Sequence, residues 1–193
     1  MDTAGRLHPT AAQLEAALAH VTGSPSTRGT LDLVVQRPGE DQRVVLEEGE
    51  LHPDEGLVGD NWRHRGSSRT SDGTAHPDMQ LNLMNTRVCE LVAGSPERMP
   101  LAGDQLIVDL DLSAANLPAW TRLQIGTAVI EITDQPHKGC AKFTPAVRHR
   151  CPPLRQLRCR QAPQSAGCER TRRHRRDRSS GRCRGQARRM TCS

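Results

Sequence analysis

Aromatic residues are almost missing from this 193-residue chain, which has two Trp, one Phe and no Tyr. A surface that stacks bases on interleaved aromatic rings is therefore excluded. Lysine is nearly absent too: of 27 basic residues only Lys138 and Lys142 are Lys, and the rest are Arg. No run of eighteen apolar residues occurs, which excludes a membrane-spanning helix by hydropathy. Seven Cys are present, an odd number with none in CxxC spacing. That pattern favours neither a disulfide scaffold nor a structural zinc site. Met1 to Arg6 shows no charged-then-apolar signal pattern, so a reducing cytoplasm is the expected compartment.

What is present is divided unevenly. The formal charge is +5. Residues 148–193 contain 15 basic and 2 acidic residues, a net +13, whereas residues 1–147 sum to −8. Five of the seven Cys also lie in the basic part. The chain reads as an acidic domain joined to a basic tail whose cations are all Arg.

In the acidic part, residues 10–21 predict a short amphipathic helix. Thr10 and Gln13 have capping-box spacing, and Leu14, Leu18 and Val21 share a face. Gly23-Ser24-Pro25-Ser26 ends it. Strand-like segments follow at Leu31–Val35 and Val44–Leu46, and the Pro38-Gly39-Glu40-Asp41 turn makes them a hairpin. Further strands are expected at Met79–Met84, Leu106–Leu112, Leu123–Ile125 and Val129–Ile132, with Gly126 turning the last two. Thr86–Ala93 predicts a short helix burying Val88, Leu91 and Val92. Leu51 to Asp78 reads as one long polar connection, and a connection of that length is commonly functional or mobile. Many short strands with few helices predict a sandwich or barrel. After Val147 the periodicity stops, and a segment so poor in apolar residues is expected to be disordered.

One segment has the composition of a reactive site: Thr133-Asp134-Gln135-Pro136-His137-Lys138-Gly139-Cys140-Ala141-Lys142-Phe143. It puts a thiol on a Gly-containing turn just after a strand, with His137, Lys138 and Lys142 around it. Neighbouring cations stabilise a thiolate and so produce a nucleophile or metal ligand near neutral pH. The same residues also fit a small buried Cys flanked by two surface Lys. Cys89, between Val88 and Leu91, fits burial better than reactivity. Elsewhere, Glu55-Gly56-Leu57-Val58-Gly59-Asp60 forms a Gly-flanked turn that could present Asp60 to a ligand, and Ala115-Asn116-Leu117-Pro118 leads a strand out of a loop.

Taken in order, these pieces resemble the MOSC family, related to the C-terminal domain of molybdenum cofactor sulfurase. The resemblance runs from about Thr30 to Ala146. It rests on the turn at 56–60, Gln80–Met84, Leu112–Pro118, Leu123–Thr133 and the His-Lys-Gly-Cys-Ala-Lys-Phe turn. Ala115 stands where the family usually has Glu. The resemblance implies a mainly β, barrel-like MOSC-type domain with a short N-terminal helix, incomplete at its C-terminus. Residues 1–29 would form the helix and linker, 30–146 the domain, and 147–193 a disordered Arg-rich tail. It also implies a sulfur carrier, or a binder of the molybdenum cofactor, acting through Cys140. Cys140 would then hold a persulfide or ligate molybdenum. His137, Lys138, Lys142, Asp60 and Asn116 would be the cofactor-binding residues. Implied partners are a sulfur-donating desulfurase, which would carry the pyridoxal phosphate, or a molybdenum-cofactor enzyme.

The family normally continues with Arg-Phe-Gly-x-Asp-Ala and closes with a strand pair, and neither is present. Reading codons one base later from Ala146 to Cys151 permits Arg-Phe-Gly-Ile-Asp-Ala. From Gln164 to Arg182 the same shift permits a family-like ending. Cys168 would give only Val or Ala, Glu169 only Asn or Ser, and His174 and Asp177 only Ile or Thr. A one-base shift between about Thr144 and Ala146 is therefore one expectation. The other is a binding or regulatory module whose tail, around 169–180, is an arginine-rich nucleic-acid arm.

Overall fold

The computed structural model describes residues 10–135, 157–161, 181–184 and 188–192. Helix α1 spans Ala11–Thr22, and its capping box forms as expected: Gln13 N–H donates to the Thr10 hydroxyl, and Thr10 N–H donates to the Gln13 amide oxygen. Strand β1, Arg28–Gln36, pairs with β2, Val44–Leu46, as the expected antiparallel hairpin. Beyond it the long connection proves to be ordered. Its first residues belong to β3, Glu48–His52, which pairs with β4, Gly56–Leu57, and it continues through one-turn 3-10 helices at Asn61–His64 and Pro77–Met79.

Strand β5, Leu81–Asn85, leads into α2, Thr86–Ala93, whose N-cap is the Asn85 side chain accepting from Val88 N–H. A left-handed Gly94 at φ +75° ends α2, a conformation that costs glycine little. Strand β6, Leu106–Asp109, then runs parallel to β5, so β5, α2 and β6 form a crossover unit. The strand expected to reach Leu112 stops at Asp109. Asp111 accepts from Ser113 N–H and O–H, which turns the chain out of the ladder. Strands β7, Arg122–Ile125, and β8, Ala128–Ile132, make the last hairpin of the acidic part, with Gly126 at φ +63° in its turn.

The segment read as disordered from 147 contains three described strands: β9 at Leu157–Gln161, β10 at Gly181–Arg184 and β11 at Arg188–Cys192. The large sheet has the order β11-β7-β8-β9-β5-β6-β1-β2, and β11 also pairs with β1. The pairings therefore return to β1, and the domain is barrel-like. A three-stranded sheet, β10-β3-β4, accompanies it. The tail does have a period, but its apolar positions are short. Leu157 lies opposite Leu83, Cys159 opposite Leu81 and Ile132, and Met190 opposite Ile125. These partners are all buried. Arg occupies the alternate positions of β9, so a pattern of Arg alternating with Leu and Cys has strand period without aliphatic runs.

The core is one aliphatic cluster, including Leu31, Val34, Leu81, Leu83, Leu106, Leu117, Leu123 and Ile130, with Leu51 and Leu57 from the smaller sheet. A second cluster beneath α2 holds Met84, Val88, Cys89, Met99 and Ile107. Among the described residues no aromatic side chain belongs to either cluster, so close packing there rests on Leu, Ile and Val, with Met and Cys beneath α2. Within the described residues no helix is long and apolar enough to cross a membrane.

Candidate functional site

Asp60 sits where the Gly-flanked turn ends, and it is buried. One carboxylate oxygen, Oδ2, accepts from both the backbone N–H and the Nε of Arg37, each at 2.9 Å. The other, Oδ1, accepts from Arg37 Nη2 at 2.8 Å, from Trp62 N–H at 2.9 Å and from Gln105 Nε2 at 3.4 Å. Arg37 is equally buried and spends its remaining amine on Gly103 O at 3.0 Å. Gln105, fully buried, donates to Gln80 O and accepts from Asn82 N–H. A buried ion pair persists only when its geometry and additional hydrogen bonds offset desolvation. Here a bidentate fork, a helix cap and an amide do so.

The turn is built for that carboxylate. Gly59 has φ +79°, and a Cβ there would lie 2.1 Å from the Gln36 amide nitrogen, which donates to Val58 O. Gly56 at φ +69° is the second left-handed position. The structure thus uses Asp60 to tie the ends of β1, β5 and β6 to the polar connection. Both of its oxygens are engaged within the protein.

Asn116 has a comparable engagement. Its amide Nδ2 donates to Asp111 O at 2.8 Å and to Ser26 O at 2.9 Å, and its N–H is within reach of the Ser113 hydroxyl. It pins the loop before β7 to the segment after α1, with Leu117 buried beside it.

Cys140, His137, Lys138 and Lys142 lie outside the described residues. The backbone that leads to them is described as far as Gln135. Buried Thr133 donates its hydroxyl to Asp78 O at 2.8 Å, and Arg69 Nη1 donates to Gln135 Oε1 at 3.2 Å. Both partners come from the polar connection, 55 and 66 residues away in sequence. The polar connection therefore meets the chain just before the thiol-bearing segment. No local sequence signal marks the Arg37–Asp60–Gln105 network or the Arg69–Gln135 contact.

Cys89 is a free thiol, fully buried under α2. Burial, with the charges of Asp104 and Glu90, pushes its pKa up to about 12, and it lies 3.6 Å from Met99 O. This is an inert core thiol. Among the described residues no group of three or more His, Cys, Asp or Glu could hold a metal ion.

The strand order and pairings define a mainly β, barrel-like domain with a short N-terminal helix. The chain is similar to the YuaD protein of Bacillus subtilis, with TM-score 0.58 and 12% identity over 86% of this chain and 96% of that one. It is also similar to a hypothetical protein of known structure, with TM-score 0.51 and 15% identity over 86% and 68%. YiiM from Escherichia coli matches at TM-score 0.48 and 15% identity over 85% and 69%. No protein-family model matches the chain, and no curated protein matches it. The likeness carries the fold alone.

Proposed function

We propose that the chain is a MOSC-type domain that carries sulfur, or binds the molybdenum cofactor, through Cys140. The observation behind this reading is that the polar connection, through Asp78 and Arg69, meets Thr133 and Gln135 at the start of the only Lys-bearing segment. For sulfur carriage, the Cys140 thiolate attacks the outer sulfur of a persulfide on a donor desulfurase. The new bond is Cys140 Sγ–S, the donor S–S bond breaks, and the donor leaves as a thiolate. His137, Lys138 and Lys142 would hold the attacking thiolate charged. Pyridoxal phosphate belongs to the donor in this scheme. For cofactor binding, Cys140 would be the metal ligand, with the three cations meeting the anionic part of the pterin. Asp60 and Asn116 would contribute by fixing the frame, since their side chains bond internally.

The test is a cysteine desulfurase with radiolabelled cysteine, followed by non-reducing detection of protein-bound sulfur. Label retained on the full chain and lost in Cys140→Ser supports the reading. Equal labelling in both, or none in either under conditions where a control acceptor is labelled, overturns sulfur carriage. A Cys140 that titrates like an ordinary thiol, near about pH 8.5, would count against an activated thiolate.

The one-base shift near codons 144–146 remains part of this proposal as an account of the Arg-only composition. Genomic sequence across those codons tests it, and an intact frame in independent reads sinks it.

A further inference from the structure

Charge is distributed along the chain in a way that bears on where the arginine-rich segment goes. Residues 40–55 hold seven acidic residues, Glu40, Asp41, Glu47, Glu48, Glu50, Asp54 and Glu55, against one Arg. Strand β3 lies within that stretch, with Glu48 and Glu50 half-buried on one face and Gly49 and Leu51 buried on the other. The antiparallel register of β10 against β3 sets Arg182 opposite Glu50 and Arg184 opposite Glu48, with Gly181 opposite Leu51 and Cys183 opposite Gly49. A one-residue slip would place both Arg opposite the buried face. The same rule holds at β9, where Arg160 lies opposite Glu131, a buried carboxylate that Arg122 approaches at 3.2 Å from the other side.

Opposite charges directly across a ladder attract, and like charges repel. Without β10, moreover, β3 would have an open edge along 48–51, since β4 pairs with its other edge. We infer that the acidic face of β3 is a docking surface for an arginine-rich extended segment, and that the chain's own residues 181–184 occupy it through the Glu48–Arg184 and Glu50–Arg182 pairs. Docking on β3 and binding of the same arginines to a polyanion are then mutually exclusive. The occupant is the chain itself because its register matches charge to charge at both positions.

Amide hydrogen exchange on the full 193-residue chain tests this. Protection of 48–51 and 181–184 is expected to fall about fivefold between low and high NaCl, because screening weakens partly exposed pairs. The β5–β6 ladder, which pairs Leu83, Met84 and Asn85 with Leu106, Ile107 and Val108, serves as the uncharged reference and should hold. The double variant Glu48→Gln with Glu50→Gln should show the same loss already at low salt. Exchanging the charges, Glu48→Arg and Glu50→Arg with Arg182→Glu and Arg184→Glu, should restore protection. Poly-uridylate at low salt should expose both segments together. Equal salt response of the two ladders, full protection in the Gln variant, failure of the exchange to restore it, or RNA binding with 181–184 still protected would each overturn the inference.

Discussion

A buried carboxylate facing a buried guanidinium makes Asp60 the residue with the largest expected mutational cost in the described part. Asp60→Asn leaves the Arg37 charge in the core with only Gly103 O and neutral acceptors, and uncompensated buried charge costs about 3–5 kcal/mol. Urea denaturation of the full chain should register a loss of that order. A loss under about 1 kcal/mol would mean that Arg37 leaves the interior. Cys89 makes a different demand. Its thiol pKa is raised by burial, so the folded state favours the neutral form over the unfolded chain. The associated stability is fully present below about pH 9 and is lost as pH rises toward about 12. Cys89→Ala should flatten that alkaline decline in denaturation midpoint. A curve parallel to the parent's would show that other groups cause it.

Individual elements depend on close approaches and on ladder neighbours. A Cβ on Gly29 in β1 would lie 2.2 Å from Asp109 O, a backbone atom of β6 that cannot swing aside. Gly29→Ala should therefore cost about 1–3 kcal/mol through displaced backbone, read in the same denaturation assay. The β7–β8 hairpin joins the rest of the large sheet through β11 on one side and β9 on the other. A chain ending at Val147 loses both neighbours and leaves two open edges, which invite association. The full chain should melt cooperatively by circular dichroism, and the shortened one should not. A cooperative melt of the shortened chain would show that the hairpin holds by packing alone.

For the whole molecule, the +5 total conceals a −8 part and a +13 part. Strands from the positive part are paired to strands of the negative part at β3, β5, β7, β8 and β1. Screening such an arrangement should lower the melting temperature of the full chain between 50 mM and about 500 mM NaCl, within which the Debye length shrinks to a few ångström. A midpoint that rises steadily with salt would show that the two parts gain nothing from their opposite charges.

Much of this architecture is legible without coordinates because its signals are local. Capping of α1 needs Thr10 and Gln13 three residues apart, the β1–β2 and β7–β8 hairpins need a turn between alternating runs, and burial of Cys89 follows from its apolar neighbours. The candidate thiol at Cys140 likewise stands out only by the company of His137, Lys138 and Lys142. Other features depend on residues far apart. Asp60 was readable as a turn residue but not as the partner of Arg37, 23 positions earlier, or Gln105, 45 positions later. The parallel β5–β6 pair depends on α2 folding back across the sheet. Strands β9 to β11 are invisible to hydrophobic pattern because the residues registered opposite buried positions are mixed, with Gln161 and Arg188 among Leu157, Cys159 and Met190, and their partners lie in the other part of the chain. Periodicity reports what a residue's immediate neighbours permit. Which carboxylate meets which guanidinium, and which edge a distant strand completes, is decided only when the closed chain brings desolvated groups together and each must find a partner.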